Sequence, residues 1–411
     1  MEALIDCSRS LRQSCLACLS CFGHLNSVNA YVTVNGERYR IIRLLGENNR
    51  SLTFVYLVES TATLRFLLRS PRTSRRFVLK KVLCPIGEIE LVAAAMREVD
   101  MYRVFSKSPY VIRSEATEVV QRSDGSKLVY MLSPYYPSGS LQDVINQSLL
   151  DGSRVTLKYC VSIMLGICEA LSYLHGQRTA ENHMTGDHTS TYHVPSNGSV
   201  SSFGPRPQME DSLSVSIVYA DEAASLLDDT PLELSTFADS YDDHSTYSST
   251  MTVQHTQYAH MNLKPSKILL DDNGRPILND LSSCLRLPIT VRDTHQLDRL
   301  QEWLQLRCTP QNMAPELLNL QLNSVIDSKV DIWSLGCTIY TLMYGVSPFD
   351  REEQLTGIPL RYAILNAQYN FPDEPKHPKQ FMDIVSSCLV ADSSKRPTSM
   401  DLVRKLRSLD V

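Results

Sequence analysis

The sequence predicts an α+β fold: a strand-rich amino-terminal part carrying one helix, then a longer, mostly helical part broken by a long disordered insertion. Three observations predict it. Short runs of β-branched and apolar residues recur over 39–46, 54–58, 77–83 and 128–132, the signature of strands. Helical spacing of apolar residues appears over 87–105 and again over 157–175. Between the second helix and the last third of the chain the composition changes abruptly.

The elements follow in order. Tyr39–Gly46 is apolar and ends in glycine, which reads as a strand running into a turn. Phe54–Val58 and Phe77–Leu83 are the next two strands, and the link between them carries Arg65, Arg69, Arg72, Arg75 and Arg76. A solvated loop explains those arginines, and contact with anionic lipid is the sharper alternative. The helix over 87–105 sets Met96, Val99, Tyr102 and Val104 among charges, Leu128–Leu132 is a further strand, and Pro134–Gly139 is a loop. Leu157–His175 is long and apolar enough for a buried helix. Residues 178–257 then hold 14 Ser and 10 Thr among 80 positions, with twelve acidic side chains against Arg178 and Arg206. Such a stretch buries too little apolar surface to offset its ordering entropy, so 177–257 reads as a disordered insertion. Two short strands, Ile268–Leu270 and Pro276–Leu278, and several helices complete the chain.

Composition narrows the function. The 411 residues carry 40 Lys+Arg and 45 Asp+Glu, a net charge of −5, with 43% apolar residues. That excludes collagen-like and wholly disordered chains. No uninterrupted apolar run approaches the roughly 18–20 residues of a spanning helix. The charge splits unevenly: 178–257 has a net −10 and the remainder +5. The mildly basic remainder suits an anionic membrane face, and no motif points to nucleic acid.

Eleven cysteines are present, and Cys7, Cys15, Cys18 and Cys21 crowd the first 21 residues. The other seven stand singly in apolar surroundings, as free thiols of a reducing compartment do. No secretory signal is visible, since Glu2 and Asp6 interrupt the start and no apolar region follows. The amino-terminal cluster admits three readings. A zinc site lacks its second Cys-x-x-Cys or His pair. An incidental cluster in a tail is the plain alternative. S-palmitoylation is favoured, because the cysteines alternate with Leu, Ala and Phe beside Arg9 and Arg12, and several acyl chains plus positive charge give a stable anchor. Glu2 argues against N-myristoylation. Residues 1–36 are therefore read as a Cys-rich membrane-anchoring tail.

The chemistry lies in an ordered series. Lys80 sits on the third strand and Glu98 on the following helix; a lysine that orients phosphates is commonly held by such a carboxylate. Downstream come His260-Met261-Asn262-Leu263-Lys264-Pro265-Ser266-Lys267, then Asp280-Leu281-Ser282, Ala314-Pro315-Glu316, Asp331-Ile332-Trp333 and Lys395-Arg396-Pro397. This series resembles the protein-kinase signature set over about 37–410, insertion apart. Finer features are similar to the lipid-anchored serine/threonine kinases of the Numb-associated kinase group found on Golgi and, in yeasts, vacuolar membranes. They are Leu165-Gly166-Ile167-Cys168, Asp280-Leu281, Trp303 within Leu297–Leu306 ahead of Arg307-Cys308-Thr309, and the Cys-rich start.

The resemblance implies a two-lobed kinase fold, with residues 37–136 as the amino lobe and 137–411 as the carboxyl lobe. It implies ATP and Mg²⁺ as cofactors and protein substrates or scaffold partners. It places the protein on the cytoplasmic face of a vacuolar or Golgi membrane, in membrane traffic or fusion. Gly46, Val55, Lys80, Glu98 and Tyr136 would line the nucleotide site, with a hinge near Ser133–Tyr136 and Ser133 as a small gatekeeper. Asp280 would hold Mg²⁺, Lys264 would touch the transferring phosphoryl group, Thr309 would support the substrate loop, and Glu316 and Arg396 would form a buried ion pair.

Three departures stand against the matches. Asn262 occupies the position of the catalytic-base Asp, and an amide takes no proton; general-base catalysis is worth about 10²–10⁴ in rate. Lys267 occupies the second Mg²⁺-ligand position, where a cation repels the metal. The phosphate-covering loop keeps Gly46 but lacks its later glycines, leaving Asn48 or Asn49 to accept the turn. The losses favour a pseudokinase scaffold with weak or absent catalysis. The alternative is an active, atypical serine/threonine kinase, in which Asp271 or Asp272 could supply the missing acid.

Overall fold

The computed structural model describes residues 30–48, 51–61, 75–177 and 256–410. The Cys-rich cluster, Arg65, Arg69 and Arg72, and all but the edges of the expected insertion lie outside them. An amino lobe opens with a hairpin of β1 (Tyr31–Val34) and β2 (Glu37–Asn48). Asn35 and Gly36 join the two strands, at φ of 48° and 77°, which is the Asn-Gly turn that matches strand twist. The amino lobe thus begins before the expected boundary at residue 37. Its signal was the alternation Tyr-Val-Thr-Val ahead of Asn-Gly.

β3 (Thr53–Ser60), β4 (Arg76–Cys84), β5 (Ala116–Gln121) and β6 (Lys127–Pro134) complete an antiparallel sheet in the order β1-β2-β3-β4-β6-β5. One face buries Tyr39, Phe77, Leu79, Tyr130 and Leu132 together. Because side chains alternate along a strand, Val78, Lys80 and Val82 face the other way. In register, Val55 opposes Lys80 and Lys80 opposes Met131, so three strands carry one row of side chains toward the cleft. Helix α1 (Ile89–Val104) crosses that face and buries Ala95, Val99 and Tyr102.

The carboxyl lobe is mostly helical. α2 (Leu141–Asp151) starts on a Ser140–Asp143 capping box and stops at Gly152. α3 (Leu157–Leu174) is long and apolar enough to cross a membrane by length and composition, yet 61% of it is buried inside the fold, as in a core helix. The chain resumes in β7 (Gln257–Ala259), then β8 (Ile268–Leu270) and β9 (Pro276–Leu278), which pair as a hairpin. Gln177 and Gln257, at the edges of the expected insertion, belong to the folded lobe. Gln177 accepts from the Ser399 hydroxyl at 2.8 Å, and Gln257 pairs with Leu287.

β10 (Leu285–Leu287), β11 (Ile289–Thr290) and helix α4 (Thr294–Arg307) follow, the helix coinciding with the expected one around Trp303. Beneath them run α5 (Pro315–Leu318), β12 (Val325–Ile326) and the almost wholly buried α6 (Lys329–Tyr344). α7 (Pro348–Thr356), α8 (Leu360–Leu365), α9 (Lys379–Cys388) and α10 (Ser399–Arg407) close the lobe. Seven cysteines among the described residues are free, and six of them are buried; desolvation pushes the Cys160 thiol up to about 12.

Candidate active site

Between the lobes lies a cleft of about 1230 Å³. Its roof is the β2–β3 turn with Val55 and Val78, its back wall is α1, and its floor carries Asn262, Lys264, Lys267 and Asp280. Gly46, Val55, Lys80 and Glu98 line it as expected. Met131, Leu132 and Ser133 supply the connecting edge. Tyr136 does not line it; its ring packs half-buried against the carboxyl-lobe core.

Lys80 and Glu98 meet across the sheet–helix boundary. Lys80 Nζ lies 2.6 and 2.8 Å from the two carboxylate oxygens of Glu98. Glu98 is 2% exposed, so the pair is held where solvent screens it little. The Tyr102 hydroxyl donates to Glu98 Oε1 at 2.9 Å. That support was legible as an i, i+4 neighbour on α1, although the motif series does not contain it. Lys80 also reaches Asp280 Oδ1 at 3.5 Å.

Asp280 follows β9, whose position is fixed by Val111, paired to Leu278 beside the amino lobe. The Asp280 backbone sits at φ 61°, a strained state for a non-glycine residue. Its side chain offsets part of that strain by capping the turn that follows: Ser282 donates its hydroxyl to Oδ1 at 2.6 Å and its amide at 3.4 Å. Oδ2 is in direct contact with Lys267 Nζ. The backbone brings these two together, since the Asn279 amide donates to the Lys267 carbonyl at 2.8 Å across the base of the β8–β9 hairpin. Burial, with Lys80 and Lys264 close by, pushes the Lys267 ammonium down to about 7, against the opposing pull of Glu98 and Cys284. Burial also lowers Lys264.

A divalent metal fits this arrangement poorly. Mg²⁺ demands oxygen ligands in near-octahedral geometry and is ordinarily held by one or two carboxylates. Here one oxygen of Asp280 is engaged by Ser282 and approached by Lys80, and the other carries an ammonium. Among the described residues no group of three His, Cys, Asp or Glu side chains is placed to hold a metal.

Asn262 is bonded on both sides of its amide. The Thr309 hydroxyl donates to its Oδ1 at 2.8 Å, and its Nδ2 donates to the Arg307 carbonyl at 2.7 Å. Its backbone is aimed by Asp331 of α6, which is fully buried. Asp331 accepts from the amides of His260 at 2.7 Å and Met261 at 3.0 Å, and from His175 Nε2 at 3.1 Å. Met261 stands at φ 65° and is 3% exposed, so a bulky apolar side chain is held in left-handed backbone by those bonds.

Two expectations are corrected. Asp271 and Asp272 cannot reach Asn262 as substitute acids. Asp271 is committed to the β8–β9 turn, accepting from the amides of Asn273 and Arg275 and from Arg275 Nε at 2.7 Å, and neither residue lines the cleft. In the β2–β3 turn the positive φ falls on Leu52, at 46°, rather than on Asn48. Asn48 contributes its side chain, accepting from the Ser51 amide at 3.3 Å, and Asn49 lies outside the described residues. Gly46 has free space around it, with nothing within 4 Å of an added Cβ.

The expected Glu316–Arg396 pair is present. The guanidinium is bidentate to Glu316 at 2.7 and 2.8 Å, with its centre 5.0 Å from the Trp333 ring.

Comparison with known proteins agrees with this geometry. The family model described as the protein kinase domain matches residues 247–406. Serine/threonine-protein kinase ENV7 of Saccharomyces cerevisiae is 41% identical over 382 residues, covering 93% of this chain and 94% of the relative. Serine/threonine-protein kinase ppk13 of Schizosaccharomyces pombe is 31% identical over 379 residues, 92% of each chain. Human serine/threonine-protein kinase 16 is 27% identical over 378 residues, again 92% of each. With two lobes, a Lys80–Glu98 pair and an aspartate on the floor between them, the chain belongs to the serine/threonine-protein kinase family.

Proposed function

We propose that this family member binds ATP in the cleft, that its phosphotransfer is weak or lost, and that it works as a scaffold on an internal membrane, vacuolar or Golgi, in membrane traffic or fusion. One observation carries the catalytic part. The amide at position 262 is tied to Thr309 and Arg307, and the carboxylates that line the cleft are Glu47, Glu88, Glu98 and Asp280. Glu98 is held by Lys80 and Asp280 by Lys267, and neither of the two acids the sequence suggested as substitutes lines the cleft. Loss of a general base removes about 10²–10⁴ in rate, and phosphoryl transfer rests on positioning and charge neutralisation for the remainder. Family members use ATP with Mg²⁺ generally; nucleotide contact here would fall to Lys80, Lys264 and the Val55–Met131 row.

A second reading has its own support. Lys264, Asp280 and the Lys80–Glu98 pair all line one cleft, which suits an active, atypical serine/threonine kinase acting on protein substrates. One experiment separates the two. The purified full chain is supplied with radiolabelled ATP and a protein substrate. Transfer at or below background is expected. Transfer that Asp280→Ala abolishes ends the scaffold reading and establishes the enzyme.

Membrane anchoring rests on Cys7, Cys15, Cys18 and Cys21, which lie outside the described residues. Acylation there would bring the mildly basic folded part to an anionic surface. Substituting Cys15, Cys18 and Cys21 by Ser should release the protein to the soluble fraction, and unchanged membrane fractionation removes the claim.

A further inference from the structure

We propose that the cleft holds nucleotide polyphosphate without a divalent cation, the Lys267 ammonium standing as a fixed cation where a metal would bind. This deepens the ATP-binding reading and rests on it. Lys267 closes the 3₁₀ turn Pro265–Lys267 and touches Asp280 Oδ2, with its side chain 17% exposed. The charge is therefore part of the floor and is not a surface lysine that happens to reach in. Asp280 Oδ1 is occupied by the Ser282 hydroxyl at 2.6 Å and approached by Lys80 at 3.5 Å. Both oxygens that would hold a metal are in use, and the group beside them is an amine whose proton an entering polyphosphate would hold in place.

The charge balance points the same way. The cleft lining as a whole is balanced, with Lys80, Lys264, Lys267 and Arg307 against Glu47, Glu88, Glu98 and Asp280, but its floor gathers Lys264 and Lys267 around one carboxylate, Asp280. Glu98 is satisfied by Lys80 and by Tyr102. On the floor the basic groups therefore outnumber the carboxylates, and they are covalently fixed side chains. A metal-dependent site inverts this, with surplus carboxylate that only a bound divalent ion makes hospitable to phosphate. Opposite charges in a partly buried setting interact far more strongly than in water, so one displaced cation decides which nucleotide species enters.

The test is calorimetric titration of ATP into the purified full chain, once in EDTA and once in excess MgCl₂. The expected dissociation constants agree within about threefold. Lys267→Asn should weaken binding at least tenfold in EDTA and recover most of it when Mg²⁺ is added. Lys267→Arg, which keeps a fixed cation, should bind in EDTA within a few-fold of the parent. Thermal melting of each variant without nucleotide checks that it is folded. Binding by the parent that appears only with Mg²⁺ overturns the proposal while leaving ATP binding intact. Absence of binding in both buffers overturns the ATP-binding reading itself.

Discussion

At the scale of single residues, Asn262 and Lys267 are built into their surroundings, so exchanging one of them alone disturbs the bonds that hold it. Asn262 donates Nδ2 to the Arg307 carbonyl at 2.7 Å. In Asn262→Asp that donor becomes an oxygen facing another oxygen. We expect the variant to lose about 1–3 kcal/mol of stability, the cost of a buried polar group left unpaired, and to gain no phosphotransfer unless Lys267→Asn accompanies it. Chemical denaturation and radiolabel transfer check both; a single variant that is active and as stable as the parent contradicts the argument. His260 gives a second residue-scale prediction. Burial pushes its imidazole down to about 4 from 6.5, with Asp331 and the Asn279 carbonyl opposing and Lys267 assisting. Below pH 6.5 the unfolded chain takes up a proton that the buried ring refuses, so this contribution to stability is full above 6.5 and lost as pH falls toward 4. The loss amounts to about 3 kcal/mol. Unfolding free energies of the parent should therefore decline over that window, and those of His260→Gln should decline less steeply.

At the scale of elements, close packing transmits position to the site. α3 meets the β8–β9 hairpin at Gly166, where an added Cβ would stand 2.3 Å from Pro276 Cγ. Gly166→Ala must therefore push α3 and β9 apart. Overpacking of this kind costs about 1–3 kcal/mol, and β9 leads directly into Asp280. We expect Gly166→Ala to lower the thermal midpoint and to weaken ATP binding, though residue 166 lies outside the cleft; unaltered binding and stability would show the contact to be soft. Arg396 ties three elements, bonding Glu316, the Lys329 carbonyl and the Val390 carbonyl. Glu316→Ala strands a guanidinium whose side chain is fully buried, at an expected cost of about 3–5 kcal/mol, read by denaturant titration. Much of this architecture was legible in the sequence, because strand alternation, helical period and the motif order each encode a local rule. Lys80 opposite Leu79 and Glu98 on the next helix are consequences of periods two and 3.6. β1 was legible too, as Tyr-Val-Thr-Val before Asn-Gly, but adjacency to the Cys-rich stretch drew it into the tail. The Lys267–Asp280 contact was not legible. It depends on the register of a hairpin, which pairs residues twelve positions apart through a backbone bond that no side-chain pattern announces. Asp271 misled for the same reason: proximity in sequence to the catalytic loop placed it in a turn that leads away from the cleft.

At the scale of the molecule, the fold accepts a long insertion because its two ends are already together. His175, two residues before Gln177, and His260, four residues after Thr256, bond the same oxygen of Asp331, at 3.1 and 2.7 Å. The chain thus leaves and re-enters the described lobe at one buried carboxylate. The composition of 178–257, with its net −10, offers little apolar surface with which to pack. Replacing residues 178–255 with a Gly/Ser linker of about ten residues should therefore stabilise the fold slightly, by roughly 2 kcal/mol, since closure entropy grows only as the logarithm of loop length. The same replacement changes the chain from a net −5 to about +5, leaving the basic lobes without their acidic counterweight. Binding to vesicles containing phosphatidylserine should rise in the replaced protein and fall again with added salt, as screening shortens the reach of the field. The two readouts answer different questions. A loss of several kcal/mol on replacement would mean that the segment packs on the lobes as structure, and unchanged vesicle binding would mean that its charge does not set how closely the folded part approaches an anionic membrane.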